Sequence, residues 1–408
     1  MAVTRGRPMP ATFLTGATGF IGAEILRRLL GREPDRRVYA LVRAETAAFA
    51  AQRGREILFR LFFDDHEATQ DAKRRVRWIV GDLSRPGLGM DQAARQEIVA
   101  ECGELIHSAA STDFDLPLQE AEAVNFAGVQ AMAELAAEIG RAGHLARLIH
   151  VSTAYVAGRR DGVIRPEELP GADGPFNNTY EQTKAQAERF LRERMGELPI
   201  TVVRPSIVVG DSRTGRTFNF NVLYFPIKLI YRGLLPVVPG RRSTTLDIVP
   251  VDYVCDGLLA LGRDPAAVGR TFHLTADDDA MPAMEFVERV VDFFNQRRAG
   301  GGQAPLRCPR LVHPIAWSLL RRRLRRRLHG RPREQFEAFN IYVPYVLTEK
   351  KFAASDTRRA LEGLVAYPKI ESYVLRMADY AATREWGKRV SWDASLLVTS
   401  TSLPVAGV

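Results

Sequence analysis

Cysteine is scarce in this chain of 408 residues, and long apolar runs are missing. The three cysteines, Cys102, Cys255 and Cys308, are scattered, with no CxxC spacing, which predicts free thiols in a reducing compartment rather than a disulfide framework. No run approaches 18 consecutive apolar residues, which argues against a transmembrane helix. The first eight residues lack the apolar core of a secretory signal. Together these absences predict a cytoplasmic protein.

Positive charge is concentrated in one short segment. The chain has 46% hydrophobic and 26% charged residues, ordinary values for a globular enzyme, and a formal net charge of +9. Subtracting eight arginines from +9 leaves +1 for the rest of the chain. These arginines are Arg321, Arg322, Arg323, Arg325, Arg326, Arg327, Arg331 and Arg333.

The arginine segment has the pattern of an amphipathic helix. Trp317, Leu320, Leu324 and Leu328 recur at helical spacing, which predicts a basic helix over 317–333. No aromatic residues interleave with the arginines as a base-stacking surface requires, so we expect no nucleic-acid partner. Two interpretations remain open: a solvated helix, or contact with an anionic partner. That partner would be a membrane surface, an acidic carrier protein or the phosphates of a coenzyme.

Short apolar segments alternate with helical patterns along the first two thirds of the chain. The segments predict buried strands, and the Ala-rich stretch 129–139 predicts one of the helices between them. This alternation favours an α/β fold with a doubly wound parallel sheet. The predicted strands are residues 11–15, 38–42, 76–80, 105–107, 148–151 and 200–203.

A glycine-rich turn, TGATGFIG at residues 15–22, follows the first predicted strand and opens a helix predicted over 21–30. Glycines at this spacing permit a tight turn, close approach of the backbone to a pyrophosphate, and close packing of helix on strand. The helix N-terminus then offers free N–H groups to the anion. The turn therefore predicts a dinucleotide site of the Rossmann type.

The end of the second predicted strand indicates which nucleotide binds. An NAD site places Asp or Glu there to bind the ribose 2′-hydroxyl, but this strand runs into Arg43. A guanidinium suits a 2′-phosphate, which favours NADPH. The alternative is that Arg43 is an ordinary surface arginine.

A phenol and an ammonium group form the candidate proton-transfer pair. Tyr180 and Lys184 are four residues apart and therefore share one face of a helix. Lys⁺ beside a phenol stabilises the phenolate, so we expect Lys184 to lower the Tyr180 pKa from its usual value near ~10. Thr153 ends the preceding strand at the carboxyl edge of the sheet, where ligands of open α/β sheets bind. Its hydroxyl can hydrogen-bond a substrate oxygen beside the tyrosine.

The patterns divide the chain into three parts. Residues 1–275 are predicted to form the NADP-binding Rossmann domain, with a segment at about 213–247 that joins a substrate lobe. Residues 276–390 predict a smaller, mainly helical C-terminal substrate domain. Residues 391–408, rich in Ser and Thr, predict a flexible tail.

With these motifs in place, residues 10–275 resemble the extended short-chain dehydrogenase/reductases. Within that superfamily the chain looks most like the fatty acyl-CoA reductases and carrier-bound thioester reductases. The resemblance rests on LVRA at 41–44, GDLSRPGLG at 81–89, VSTAYV at 151–156, NTYEQTK at 178–184 and IVPVDYV at 248–254.

The resemblance implies a role for each matching residue. Tyr180 would be the general acid, Thr153 the oxyanion partner, and Lys184 the group that tunes the phenol and binds the nicotinamide ribose. Asn125 would orient Lys184 through a water molecule on the helix backbone. The implied NADPH-binding residues are Gly16, Thr18, Gly19, Phe20, Ile21, Gly22, Arg43, Asp82, Leu83, Ala109, Lys184, Pro205 and Ile207.

The implied activity is NADPH-dependent reduction of a fatty acyl-CoA or carrier-bound acyl chain to the aldehyde, with a second reduction to the alcohol left open. No adenylation or carrier domain is visible, so we expect an already activated substrate, and surface association through 317–333 would suit a lipid substrate. The first alternative is a reductase or epimerase of the same fold acting on a ketone, an aldehyde or a sugar nucleotide. The second is a regulatory protein that binds NADPH without chemistry.

For several other residues we predict only where the side chain lies or what it contacts. His107 and His150 end buried strands and are expected in the core rather than on a metal, since no His/Cys/Asp cluster has ligand spacing. Ser152 points away from Thr153 along a strand and should either pack or make a local hydrogen bond. Glu181 and Glu188 are predicted to be exposed helix charges. The aromatic stretch 218–225 is either core or the wall of an acyl-chain channel.

Overall fold

A computed structural model describes residues 11–387 except residues 64, 172–173 and 221–222. The predicted tail at 391–408 lies outside the described residues. Among those described, no helix combines the length and the apolar character needed to cross a bilayer.

A parallel sheet of seven strands forms the centre of the fold. Its strands are β1 (Ala11–Thr15), β2 (Val38–Val42), β3 (Val76–Val80), β4 (Cys102–His107), β5 (Arg147–Val151), β7 (Ile200–Pro205) and β12 (Arg270–Leu274). Their spatial order is β12-β7-β5-β4-β1-β2-β3, and every neighbouring pair is parallel. From β1 the strand order runs outward to β2 and β3 on one side and to β4 and the later strands on the other. This switch between β1 and β4 creates a crevice at the carboxyl ends of these two strands.

Helices cover both faces of this sheet, as the sequence predicted. The helices are α1 (Phe20–Arg32), α2 (Ala47–Leu61), α3 (His66–Arg75), α4 (Gln92–Glu101), α5 (Leu118–Asn125), α6 (Ala127–Arg141), α7 (Thr179–Arg192), α8 (Tyr224–Tyr231), α9 (Val251–Arg263), α10 (Ala283–Gly300), α11 (Pro314–Arg327), α12 (Gly330–Asn340), α13 (Val343–Leu347), α14 (Ser355–Ala360) and α15 (Val374–Thr383). One apolar core joins the sheet to α1 and α9, and a second core, on the opposite face, joins it to α6 and α7.

A third apolar core lies in a smaller, mainly helical lobe. It joins α8, α10, α11, α12 and α15 around buried residues such as Phe286, Val290 and Met377. Short strands pair in twos around it and beside the main sheet: β6 (Gly162–Ile164), β8 (Ile207–Val209), β9 (Val237–Pro239), β10 (Thr245–Leu246), β11 (Ile248–Pro250), β13 (Met281–Pro282), β14 (Arg310–Val312) and β15 (Lys350–Phe352). The predicted fold class, a doubly wound sheet with a helical C-terminal lobe, is confirmed.

The predicted basic helix over 317–333 is wrong in its bounds. Helix α11 ends at Arg327, Leu328 is extended (φ −84°, ψ 137°), and α12 begins at Gly330. Pro332 explains the break, because a proline ring within a continuous helix would clash with the carbonyl group four residues earlier, at Leu328. Trp317 and Leu320 do pack in the third apolar core, whereas Leu328 lies in the segment that connects α11 to α12.

Candidate active site

The glycine turn lies between β1 and α1 in the crevice of the sheet. Gly16 has a φ of +80°, and a Cβ there would come within 2.7 Å of the Ala109 backbone nitrogen. A Cβ on Gly22 would come within 2.1 Å of the Gly16 carbonyl oxygen, so α1 can approach the turn only without a side chain. The Gly19 N–H donates to the Gly16 carbonyl oxygen over 2.8 Å. The backbone is thus held in a tight turn directly before the N-terminus of α1.

A cavity of about 790 Å³ opens beside this turn. Its volume falls in the range of ligand pockets, and glycine backbone forms one wall, so the residues present fit a dinucleotide. Ten residues predicted to bind NADPH line it: Gly16, Thr18, Gly19, Phe20, Ile21, Gly22, Arg43, Asp82, Leu83 and Ala109.

Two arginines stand at the far end of this cavity. Arg43 follows β2 and is exposed, and Arg53 of α2 lines the same cavity and donates to the Arg43 carbonyl oxygen. Asp82 is nearby: burial alone would raise its pKa, but hydrogen bonds from Ser84 and the charge of Arg43 lower it overall. The sequence analysis missed Arg53, since only the folded position of α2 brings it beside Arg43.

A second cavity of about 530 Å³ adjoins the first, and both are lined by Ile21, Ala110 and Val208. It contains the remaining predicted catalytic and NADPH-binding residues, which come from α7, β7, β8 and the segment that follows β5. These are Thr153, Tyr180, Lys184, Pro205 and Ile207.

Tyr180 and Thr153 contact each other directly. The side chain of Asn178 accepts a hydrogen bond from the Glu181 N–H and so begins α7. Tyr180 therefore lies in the first turn of α7, where its hydroxyl makes a hydrogen bond with the Thr153 side chain. Burial raises the Tyr180 pKa to about 12, although the bond with Thr153 opposes that shift. The phenol is consequently protonated at neutral pH.

Lys184 is held by the strand beneath it. Its ammonium group donates to the Val151 carbonyl oxygen over 2.7 Å and lies 3.2 Å from His150 Nε2. Burial lowers the Lys184 pKa to about 7. The expected lowering of the Tyr180 pKa is therefore wrong for this structure, because burial of the phenol dominates.

Asn125 contacts helix α7 directly. Its amide nitrogen donates to Thr183 Oγ1 over 3.0 Å, and its amide oxygen accepts from the Ser111 N–H over 2.8 Å. Asn125 therefore fixes the residue next to Lys184. The contact agrees with a supporting role, while the water-mediated contact stays a prediction.

Glu188 is buried, which contradicts the prediction that it is an exposed charge. Its carboxylate binds the Arg204 guanidinium at 2.6 Å, and both side chains are 0% exposed. Ser152 Oγ donates to the same carboxylate over 2.8 Å, so its hydrogen bond reaches another element and is not local in sequence. Glu188 thus links α7 to Ser152 and Arg204, which immediately precede Thr153 and Pro205. The pairing was hidden in the sequence because Arg204 lies on another element.

Glu181 is also buried, and the same prediction is wrong there. Its carboxylate accepts hydrogen bonds from the Asn177 N–H and side chain and from the Tyr345 hydroxyl. Tyr345 belongs to an aromatic wall that the sequence analysis missed, which lines the second cavity around Tyr180. The wall consists of Phe114, Tyr155, Tyr342 and Tyr345.

His107 and His150 are buried in the core and stack with ring centroids 5.4 Å apart. His107 Nδ1 contacts Thr15 Oγ1 at 2.8 Å, and His150 contacts Lys184. Burial lowers the pKa of both imidazoles, which keeps them neutral. Within the described part of the chain no group of three or more His, Cys, Asp or Glu side chains could hold a metal ion.

This sheet, glycine turn and Thr–Tyr–Lys set define an extended short-chain dehydrogenase/reductase. Residues 14–258 match the model of an NAD-binding family described as male sterility protein. The chain therefore belongs to that family, which supports a nicotinamide cofactor for it.

Curated relatives share the same region. The fatty acyl-CoA reductase wat of Drosophila melanogaster is 30% identical over 286 residues, which cover 62% of this chain and 54% of the relative. The L-2-aminoadipate reductase large subunit of Penicillium chrysogenum is 32% identical over 275 residues, which cover 64% of this chain and 19% of the relative. The chain thus spans about half the length of the fatty acyl-CoA reductases that it matches.

A solved structure extends the similarity into the C-terminal lobe. The terminal R domain of the myxalamid PKS-NRPS biosynthetic pathway is 26% identical with a TM-score of 0.76, covering 94% of this chain and 93% of that domain. UDP-glucuronic acid 4-epimerase of Bacillus cereus shares the fold alone, at 16% identity and a TM-score of 0.60.

Proposed function

We propose that this protein is an NADPH-dependent reductase that converts an activated acyl thioester into an aldehyde. One observation carries the proposal: Thr153, Tyr180 and Lys184 line one cavity, which is continuous with the glycine-turn cavity. The similarity to fatty acyl-CoA reductases and to a terminal R domain supports a thioester rather than another carbonyl compound.

The reaction requires one hydride and one proton. When bound, the nicotinamide would supply the hydride. The thioester carbonyl carbon gains that hydride and its oxygen gains a proton, giving a hemithioacetal. Its carbon–sulfur bond then breaks as the hydroxyl proton passes to the sulfur, which releases the aldehyde and the thiol. A second hydride and proton would take the aldehyde to the alcohol.

Tyr180 and Thr153 would protonate and hydrogen-bond the carbonyl oxygen of the thioester. Because the Tyr180 phenol is neutral at pH 7, it can donate its proton to the developing oxyanion. Thr153 donates a second hydrogen bond to the same oxygen, which stabilises charge where it forms. Lys184, fixed by Val151 and His150, orients this end of α7 and binds the nicotinamide ribose.

The lobe around the second cavity would hold the acyl group. We propose that residues 276–390, with the segment at about 213–247, form the substrate lobe, and that the rest of 1–275 forms the nucleotide domain. Asn219, Ile341, Tyr342 and Tyr345 support this division because they line the cavity that contains Tyr180. The thiol carrier would be coenzyme A or a carrier protein.

A product panel tests this function. The purified protein is incubated with NADPH and, separately, with acyl-CoAs of several lengths, the matching ketones and aldehydes, and sugar nucleotides. We expect aldehyde or alcohol and free thiol from the thioesters. Turnover of ketones or sugar nucleotides with no thiol released would favour the alternative reductase or epimerase, and no turnover of any substrate would favour the NADPH-binding regulator.

Arg43 should set the coenzyme preference. A charge-assisted hydrogen bond to the 2′-phosphate contributes about 1.5–3 kcal/mol, so the parent should prefer NADPH over NADH by about ten- to a hundredfold in kcat/KM. Arg43→Ala should lose most of that preference, and the further change Arg53→Ala should remove what remains. Initial rates with both coenzymes measure it.

Arg55→Ala is the matched control, since Arg55 is an exposed arginine of α2 that does not line the cavity. Equal kcat/KM with NADPH and NADH in the parent protein would contradict the assignment of Arg43.

A further inference from the structure

The exposed side of α11 combines aliphatic and basic residues in one stripe. Ile315 and Leu319 are 70% and 64% exposed, which is unusual for large aliphatic side chains. Arg322, Arg323 and Arg326 continue the stripe one and two turns further on, and all three are exposed. These five residues are called the α11 outer face.

The arginines of the α11 outer face lack partners within the described part of the chain. No ion pair or side-chain hydrogen bond is found there for Arg322, Arg323 or Arg326, although Arg325 beside them pairs with Glu337 at 2.6 Å. From residue 314 to residue 333 the sequence has no acidic residue. Like charges this close repel one another, and screening at ~0.15 M salt extends only about 8 Å, so nearby negative charge would stabilise them.

The helix that carries the α11 outer face packs into the helical C-terminal lobe. On the opposite side of α11, the buried Trp317 packs against Phe336 and Phe339 of α12, with ring centroids 5.9 and 6.1 Å apart. Helix α12 leads directly into Ile341 and Tyr342, which line the cavity that contains Tyr180. The face therefore presents a fixed surface on the same lobe as the acyl-binding cavity.

We propose that the α11 outer face docks on an anionic lipid bilayer. Aliphatic side chains at the start of α11 would enter the boundary between headgroups and acyl chains, and the arginines would contact anionic headgroups. Long arginine side chains place their apolar stems against lipid and their charges at the phosphates, which suits a fluid surface with no fixed partner geometry. Docking would bring the reductase to the phase in which long acyl chains partition.

Vesicle sedimentation of the full chain tests this docking. We expect binding to phosphatidylcholine vesicles containing phosphatidylserine, little binding to phosphatidylcholine alone, and loss of binding as salt rises. Replacing Arg322, Arg323 and Arg326 together with Gln should weaken binding by about a hundredfold, at about fivefold for each arginine. Ile315→Ser with Leu319→Ser should weaken it by about tenfold or more.

Matched variants control for charge and exposure. Arg55, Arg141 and Arg242 are exposed arginines with no ion pair in the described residues, and changing all three to Gln removes the same charge. Leu234→Ser with Leu364→Ser removes two other exposed leucines, which are 51% and 68% exposed. Both control variants should bind vesicles like the parent protein, and circular dichroism should report an unchanged fold for all variants.

Three results would overturn the docking. The first is an equal loss of binding when Arg55, Arg141 and Arg242 are changed to Gln. The second is parent-like binding after Arg322, Arg323 and Arg326 are changed to Gln. The third is binding to an acidic carrier protein without any vesicle binding. The last would assign the face to a protein partner. Since vesicle binding is measured without turnover, its failure would leave the proposed thioester reduction standing, and inactivity on thioesters would leave the docking standing.

Discussion

Tyr180→Phe is expected to lower kcat by about 10²–10⁴-fold while leaving coenzyme binding close to that of the parent protein. The change removes only the hydroxyl group, which meets Thr153 in the structure and would donate the proton to the reacting oxygen. The ring stays, so the aromatic wall and the packing of α7 are preserved. Initial rates with a saturating acyl-CoA, together with titration of NADPH fluorescence, separate the two effects.

Tyr231→Phe is the control for that change, because Tyr231 is partly exposed on α8 and does not line the cavity that contains Tyr180. It should reduce thioester as fast as the parent protein. A Tyr180→Phe protein that retains turnover within about threefold of the parent would show that another group donates the proton.

Glu188→Gln should destabilise the fold by about 3–5 kcal/mol, since it leaves the Arg204 guanidinium buried without a counter-charge. Burial alone would raise the Glu188 pKa, but Arg204 and its hydrogen bonds lower it overall. The contribution of this pair is therefore fully present above the ordinary pKa of a glutamate. It is lost as pH falls through the lower native pKa. Urea unfolding at pH 7 and at acidic pH measures both effects.

Glu193→Gln provides the comparison, because Glu193 directly follows α7 with a side chain that is 67% exposed. Its free energy of unfolding should stay within about 0.5 kcal/mol of the parent protein. If Glu188→Gln is no more destabilising than Glu193→Gln, the buried pair does not hold α7 against β7.

Features that depend on neighbouring residues could be predicted from the sequence. The strand at 11–15, the glycine turn and helix α1 are contiguous, so their spacing alone indicates a nucleotide site. Tyr180 and Lys184 likewise share one helix, and Thr153 ends a strand that was recognisable by its apolar run. The predicted order of these motifs brought them to one edge of the sheet, as the structure has them.

Features that depend on distant partners were missed. Glu188 appears in the sequence as a helix charge, and only the folded position of Arg204 makes its burial favourable. Strand β12 begins with an exposed Arg270 and a half-buried Thr271, so its place beside β7 follows from tertiary pairing rather than from an apolar run. The aromatic wall was missed for the same reason, since Tyr342 and Tyr345 are remote in sequence from Tyr180.

The break between α11 and α12 was missed for a different reason. The leucine spacing favoured one continuous helix, and the effect of Pro332 on the carbonyl group of Leu328 was not weighed against it. The leucine spacing also did not single out Ile315 and Leu319. The structure places Ile315 and Leu319 outside, whereas Leu320 and Leu324 are partly buried.

Transfer of deuterium tests the central claim, hydride delivery to a thioester carbonyl, most directly. The protein is incubated with NADPH deuterated at nicotinamide C4, in each stereoisomer separately, and with an acyl-CoA, and the products are analysed by mass spectrometry. The account predicts one deuterium at C1 of the aldehyde from one stereoisomer only, with one free thiol released per aldehyde. Thiol release without deuterium in the acyl product would indicate hydrolysis and contradict the account.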